Sequence, residues 1–244
     1  MRLRQEHLVV PDWPVPPGVQ ALQTTRLGGV SLPPYDSLNL GMHVGDDPLA
    51  VSANRHALSP MLPSEPVWLE QVHGTTVVLA ESAGRHPLAD ACVTRKKNTV
   101  CVVMTADCLP VLLCDRAGTV AAAVHAGWRG LAGGVIEATV AAMAMPEEQL
   151  MAWLGPAIGP QAFEVGGEVR EVFLAHDPAA ATAFTPHAGK YLVDIYRLAR
   201  QRLHAMGIMQ IHGGGFCTHG DRERFFSYRR DGRTGRMGSF IWLS

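Results

Sequence analysis

The chain has 244 residues, 47% of them hydrophobic and 18% charged, which is enough apolar material for a folded core and too little charge for a disordered chain. Its 21 Lys and Arg stand against 22 Asp and Glu, a formal net charge of −1. That balance disfavours a general nucleic-acid binder, which needs a basic surface. No apolar run approaches the roughly 18 residues of a membrane-spanning helix. The N-terminus runs from Met1-Arg-Leu-Arg into Leu8-Val-Val-Pro rather than a long apolar stretch. The expected location is therefore cytoplasmic, with neither nucleic acid nor membrane as a partner.

Residues 1–40 are rich in proline and glycine and read as loops with a short strand at Val19–Thr25. Residues 51–59 read as a short helix stopped by Pro60. Pro66–Gln71 and Thr75–Ala80 read as strands. Thr99–Met104, Val111–Asp115 and Thr119–His125 are apolar on both faces and read as central strands, joined by turns at Thr105–Pro110 and Arg116–Gly118. Gly127-Trp-Arg-Gly-Leu-Ala-Gly-Gly134 opens a helix expected to reach about Met145, with Leu131, Val135, Ala138 and Ala142 as its apolar stripe. A strand at Ala152–Gly155 and a helix at Val165–His176 follow. Asp194 caps a third helix that ends at Gly207. Gly213–Gly215 reads as a loop, and Phe225–Arg229 and Ser239–Leu243 read as strands. Neither a linker-like stretch nor a fixed-period repeat divides the chain. It reads as one α/β domain, α+β-like in its mixture of hairpins and helices, over residues 1–244.

The five cysteines, Cys92, Cys101, Cys108, Cys114 and Cys217, form no C-x-x-C pair. An odd, irregular set argues against a disulfide framework. Cys101 and Cys114 sit inside apolar strands and read as core fillers. Cys108 differs, because it lies in a turn beside Asp107. His73 and His125 also lie at element ends. One cysteine and two histidines form a catalytic zinc set with an open position. The same residues also form a Cys–His nucleophile pair, and each could equally be an ordinary structural residue.

Two further stretches carry binding chemistry. Arg129 and the Gly127 helix start offer a guanidinium and free N–H groups to an anion such as phosphate, or the glycines serve only close packing. In Phe225-Phe-Ser-Tyr-Arg-Arg-Asp-Gly232, Tyr228, Arg229 and Arg230 offer stacking and charge to an aromatic or anionic ligand, or form a solvated cluster.

Several segments resemble one family in order: Thr25-Arg-Leu-Gly-Gly-Val-Ser31, Ser37-Leu-Asn-Leu-Gly41 with His43-Val-Gly-Asp46, Glu70-Gln-Val-His-Gly74, Thr105-Ala-Asp-Cys-Leu-Pro110, Val124-His-Ala-Gly-Trp-Arg-Gly130, Leu154-Gly-Pro-Ala-Ile-Gly159 and Phe226-Ser-Tyr-Arg-Arg-Asp-Gly232. Together they resemble the YfiH family, also called the laccase-domain or multicopper polyphenol oxidase family. The resemblance implies a single layered domain of mixed β-sheets flanked by helices. It implies a metal site at His73, Cys108 and His125, with zinc bound, or copper as the other metal the set accepts.

The family's activities are described as polyphenol oxidation, as purine nucleoside phosphorolysis with adenosine deamination, and as editing of peptidoglycan precursors. A laccase needs a blue-copper site and a trinuclear cluster, whose many histidines commonly fall in His-x-His pairs. This chain has no such pair. The expectation is therefore a zinc-dependent enzyme that phosphorolyses adenosine, inosine or methylthioadenosine and deaminates adenosine. Its small-molecule partners would be purine nucleosides and phosphate. The alternatives are a Cys108-dependent amidase with His125 as base, a copper-dependent polyphenol oxidase, and a metal-binding scaffold without turnover.

Overall fold

The computed structural model describes residues 3–244. In chain order its strands and helices are β1 (Leu8–Val9), β2 (Val19–Thr24), α1 (Pro48–Leu58), β3 (Val77–Leu79), β4 (Ala91–Thr94), β5 (Cys101–Thr105), β6 (Leu109–Asp115) and β7 (Ala121–Ala126). Then come α2 (Trp128–Gly133), α3 (Val135–Met143), β8 (Leu150–Leu154), β9 (Glu164–Val165), α4 (Gly167–His176), β10 (Phe184–His187) and β11 (Lys190–Val193). The last are α5 (Ile195–Ala205), β12 (Gln210–Gly213), α6 (Tyr228–Asp231) and β13 (Met237–Leu243). A six-stranded mixed sheet has the order β12-β8-β6-β7-β4-β3, a four-stranded sheet β1-β2-β13-β5, and a small sheet β10-β11-β9.

Alternation along the strands builds the layers, because successive side chains face opposite sides. In β6, Leu109, Val111 and Leu113 join a core with Leu131, Val135, Ile136 and Val140 of α2 and α3 and Leu198, Ala199 and Leu203 of α5. Leu112 and Cys114 face the other way and meet Cys101, Val103 and Ile241 of the four-stranded sheet. The outer face of that smaller sheet, with Val102, Met104 and Phe240, is covered by Leu38, Leu40 and Ala57 and Leu58 of α1. The result is helix, sheet, sheet, helix. Both α1 and α5 start on an aspartate: Asp47 and Asp194 accept N–H bonds from Leu49 and Arg197. No described helix is long and apolar enough to cross a membrane.

Five expectations are corrected. Thr99–Met104 is realised as β5, but β5 ends the four-stranded sheet rather than lying centrally; its burial comes from sheet stacking. Pro66–Gln71 is no strand. Val67 and Glu70 make only isolated bridges, to Cys101 and Leu88, although Trp68 and Leu69 alternate between two cores as strand residues would. The helix expected from 127 to 145 is split into α2 and α3 by Gly134 at φ +94°, and Ala144 at φ +44° ends it before Pro146. Phe225–Arg229 is also no strand. Ser227 caps α6 through its hydroxyl, and Phe225 and Phe226 are both buried. The sheet β10-β11-β9 is additional, and Val165 belongs to it rather than to α4.

Candidate metal centre and active-site cleft

His125 is the penultimate residue of β7. Ala121 and Ala123 face the inter-sheet core, so the strand's two-residue period sends His125 to that same side at its rim. Cys108 sits in the turn between β5 and β6, immediately after Asp107 at φ +88°. His73 is at φ +60° in the loop before β3. That loop is held at two points. The Gln71 side-chain amide copies a strand, donating to the Met104 carbonyl at 2.8 Å and accepting the Met104 N–H at 2.7 Å. The Asp90 carboxylate accepts the N–H groups of His73 at 2.9 Å and Gly74 at 2.7 Å.

Asp90 organises the centre. Its side chain is fully buried, and it pairs with His125 Nδ1 at 2.7 Å. Its carbonyl also accepts the His125 N–H at 2.7 Å. With Nδ1 occupied, His125 presents Nε2 to the cleft. The ligand atoms of His73, Cys108 and His125 lie within 4.8 Å of one another. The two imidazole rings stand edge to face, with centroids 4.7 Å apart.

Gly127 explains how the three come so close. A Cβ there would stand 2.9 Å from His73 Cδ2, 3.0 Å from Cys108 Sγ and 3.5 Å from His125 Nε2. The space a side chain would fill is bounded by the His73 ring, the Cys108 sulfur and the His125 Nε2. This donor set fits a single zinc-like ion.

The charges suit it too. Burial alone would push the Cys108 thiol up, but the His125 cation and hydrogen bonds from His125 and His73 bring it down to about 6. Burial alone would lower His125, but the Cys108 thiolate and Asp90 raise it to about 9. Burial opposes ionisation of Asp90, and its bonds from His125, Gly74 and His73 hold it below the usual carboxylate range nonetheless. Cys101 and Cys114 are fully buried inside strands, and burial pushes both thiols up. They are fillers, as expected. Cys217 accepts N–H bonds from Gly159 and Gly220 and lines a separate recess of about 550 Å³ with Arg197 and Arg200.

Two recesses meet at the trio. One, of about 230 Å³, is lined by His73, Cys108, Trp128, Ile158, Phe163 and Arg229. Arg129 lines it, with its guanidinium over the Trp128 ring at 4.4 Å. The other, of about 390 Å³, runs from Cys108 and His125 to His43 and Arg236. Tyr228 borders both.

Arg229 is anchored through its Nη1 to the Glu164 carbonyl at 2.8 Å and through its N–H to Asp107 at 2.7 Å. Asp107 also accepts the Thr218 hydroxyl at 2.6 Å. One carboxylate thus ties the Cys108 turn to α6. Arg230 does not reach the cleft. Its guanidinium donates to the carbonyls of Thr218, His219 and Phe225 and pairs with Asp231, so it holds the chain before α6. Sequence reasoning missed Asp90, Gln71 and Gly127. Asp90 has one signal, an acid inside the apolar run Leu88–Val93. Gly127 lay in a noted stretch whose steric role a sequence does not reveal.

Residues 20–244 match the family model described as multi-copper polyphenol oxidoreductase laccase. The chain is 61% identical over 239 residues to the purine nucleoside phosphorylase YfiH of Escherichia coli (strain K12), covering 97% of this chain and 98% of that protein. It is 40% identical over 229 residues to a purine nucleoside phosphorylase of Streptomyces coelicolor, covering 90% and 93%. Among solved structures, protein NMB0706 of Neisseria meningitidis superposes with a TM-score of 0.94 at 53% identity, covering 98% and 99% of the two chains. YlmD of Geobacillus stearothermophilus superposes with a TM-score of 0.87 at 29% identity, covering 99% and 98%.

Proposed function

Because the chain belongs to the multi-copper polyphenol oxidoreductase laccase family, several of whose closely similar members are named purine nucleoside phosphorylases, we propose that it phosphorolyses purine nucleosides. The observation that carries this reading is the meeting at His73, Cys108 and His125 of an aromatic-walled recess and a second recess that holds Arg236. A flat purine suits walls of Trp128, Ile158 and Phe163. Tyr228, Arg129 and Arg229 border that recess and orient the nucleoside. In the reaction a phosphate oxygen attacks ribose C1′ and the C1′–N9 bond breaks. Its electron pair passes to the purine, which takes up a proton. The products are the free base and ribose 1-phosphate.

His73, Cys108 and His125 would hold zinc, which supplies Lewis-acid charge stabilisation when bound. Asp90 fixes the His125 tautomer and keeps Nε2 toward the cleft. Adenosine, inosine and methylthioadenosine are the substrates we assign. The same cleft deaminates adenosine when water, rather than phosphate, is the nucleophile and attacks C6 with loss of ammonia. Among the described residues no second group of three such ligands converges, so the ligands of a trinuclear copper cluster are missing and the laccase chemistry is not assigned.

Incubation with inosine, with and without phosphate, tests the reading. Hypoxanthine and ribose 1-phosphate appearing only with phosphate supports it; no phosphate-dependent cleavage of any purine nucleoside refutes it. One observation favours a second reading. The lowered Cys108 and raised His125 also describe a thiolate–imidazolium pair, as an amidase acting on a cell-wall precursor would use. A covalent acyl adduct on Cys108 would favour it.

A further inference from the structure

We propose that the recess between Thr105 and Arg236 is the phosphate subsite, and that the purine occupies the opposite recess beside Trp128. This rests on the phosphorolysis reading. It moves the anion away from Arg129, where the sequence alone pointed.

The sheet register builds this subsite. Met237 of β13 pairs with Thr105 of β5, so Arg236, one residue earlier, arrives beside the turn that carries Cys108. Its Nη1 is fixed by the carbonyls of Thr234 and Gly235 at 3.0 Å each. Among the described residues no carboxylate pairs with Arg236. A half-buried guanidinium without a carboxylate partner in contact is held at a cost; desolvation lowers its pKa, and the nearby charges of Cys108 and Asp107 offset only part of that. An anionic ligand removes that cost.

Thr105 supplies the independent observation. It lines the same recess, is 2% exposed, and its hydroxyl has no hydrogen-bond partner. Buried hydroxyls are normally satisfied, so an unpaired one at the wall of a cationic recess points to a ligand oxygen. The electrostatics agree. His43, in the same recess, is shifted down by burial and then by the charges of Arg236 and Arg55. Burial is the larger cause of that shift, and the two guanidiniums add to it.

Arg129, by contrast, is exposed and rests on an aromatic ring, so solvent screens its charge. The α2 helix beside it has only six residues. The recess it borders also holds Arg229, whose guanidinium is tied to the Glu164 carbonyl, and its walls of Ile158, Phe163 and Trp128 suit a base. With phosphate on one side and the base on the other, ribose C1′ falls between them, over the trio.

The test compares Thr105→Val with wild type and Arg129→Ala. The Thr105 hydroxyl makes no bond within the protein, so its removal leaves the fold intact and the melting temperature equal or higher. The expected result is a KM for phosphate raised about tenfold, the size of one lost charge-assisted hydrogen bond, with the KM for inosine little changed. Arg129→Ala should raise the KM for inosine instead. Arg236→Lys keeps the charge and loses the fork, and should weaken phosphate further.

A binding readout runs beside the kinetics. Inorganic phosphate alone should raise the melting temperature of wild type and raise it less in Thr105→Val and Arg236→Lys. An unchanged phosphate KM in Thr105→Val, or a phosphate KM raised by Arg129→Ala and not by Thr105→Val, overturns the proposal. Stabilisation by inosine 5′-monophosphate but not by inorganic phosphate also overturns it, since the recess would then hold a substrate's own phosphate. If wild type cleaves no nucleoside but phosphate still stabilises it through Thr105 and Arg236, the phosphorolysis reading fails while the anion subsite stands.

Discussion

Replacing Gly127 with alanine adds one methyl group at the most confined point of the site. Its Cβ would stand 2.9 Å from His73 Cδ2 and 3.0 Å from Cys108 Sγ. Ordinary carbon contacts are about 3.5–4.0 Å, so the His73 ring must retreat by roughly 0.6–1.1 Å. Metal–ligand distances tolerate only about 0.2 Å. We therefore expect zinc affinity to fall about 10–100-fold, the range seen when supports of metal ligands are disturbed.

The fold should feel much less. Gly127 has φ −59° and ψ 156°, open to alanine, and its other role is the N-cap of α2. Alanine at an N-cap costs about 1 kcal/mol, or about 2–4 °C in melting temperature for a chain of this size. The assay is a zinc titration against a competing chelator, with melting of the chelator-treated protein measured beside it. Unchanged zinc affinity and unchanged phosphorolysis in Gly127→Ala would refute the convergence of the three side chains over this glycine.

Asp90→Asn removes the carboxylate that orients His125, and zinc affinity should fall about 10–100-fold; an unaltered affinity would show that Asp90 serves only the loop. In metal-free protein, alkylation of Cys108 by iodoacetamide should rise with pH about a midpoint near 6, and a midpoint near 9 would contradict the thiolate–imidazolium pair. The linked stability follows by sign. The depressed Cys108 contributes fully above its unfolded value of 9.0, a contribution lost as pH falls through about 6. The raised His125 contributes fully below its unfolded value of 6.5, lost as pH rises through about 9. Arg230→Ala strands three carbonyls and should destabilise by about 2–3 kcal/mol, roughly 5–10 °C in melting temperature. Its KM for inosine should hold, whereas a raised KM with normal stability would return Arg230 to the cleft.

The trio was legible because each member breaks a local pattern. His125 closes an apolar strand, Cys108 sits in a turn rather than within a strand, and His73 lies in the Gln-Val-His-Gly segment. The layered fold was legible from β6 and β7, whose runs are apolar on both faces. Asp90 was not legible, since its partners are main-chain N–H groups and a histidine 35 positions away, and no spacing rule encodes them. Arg229 and Arg230 are adjacent in sequence, yet one lines the cleft and the other grips carbonyls behind it. Composition shows their charge and not their direction. At Phe225–Arg229 strand propensity lost to the Ser227 cap and to burial of both phenylalanines. At Gly134 a stripe that continued in sequence was cut by a left-handed backbone.

The central claim joins metal, thiolate and phosphorolysis in one site, and zinc content measured together with phosphate-dependent inosine cleavage on wild type and Cys108→Ala tests it most directly. The account predicts stoichiometric zinc and release of ribose 1-phosphate in wild type, with both lost together in Cys108→Ala. Cys108→Ala that keeps its zinc and still cleaves inosine at the wild-type rate would contradict it.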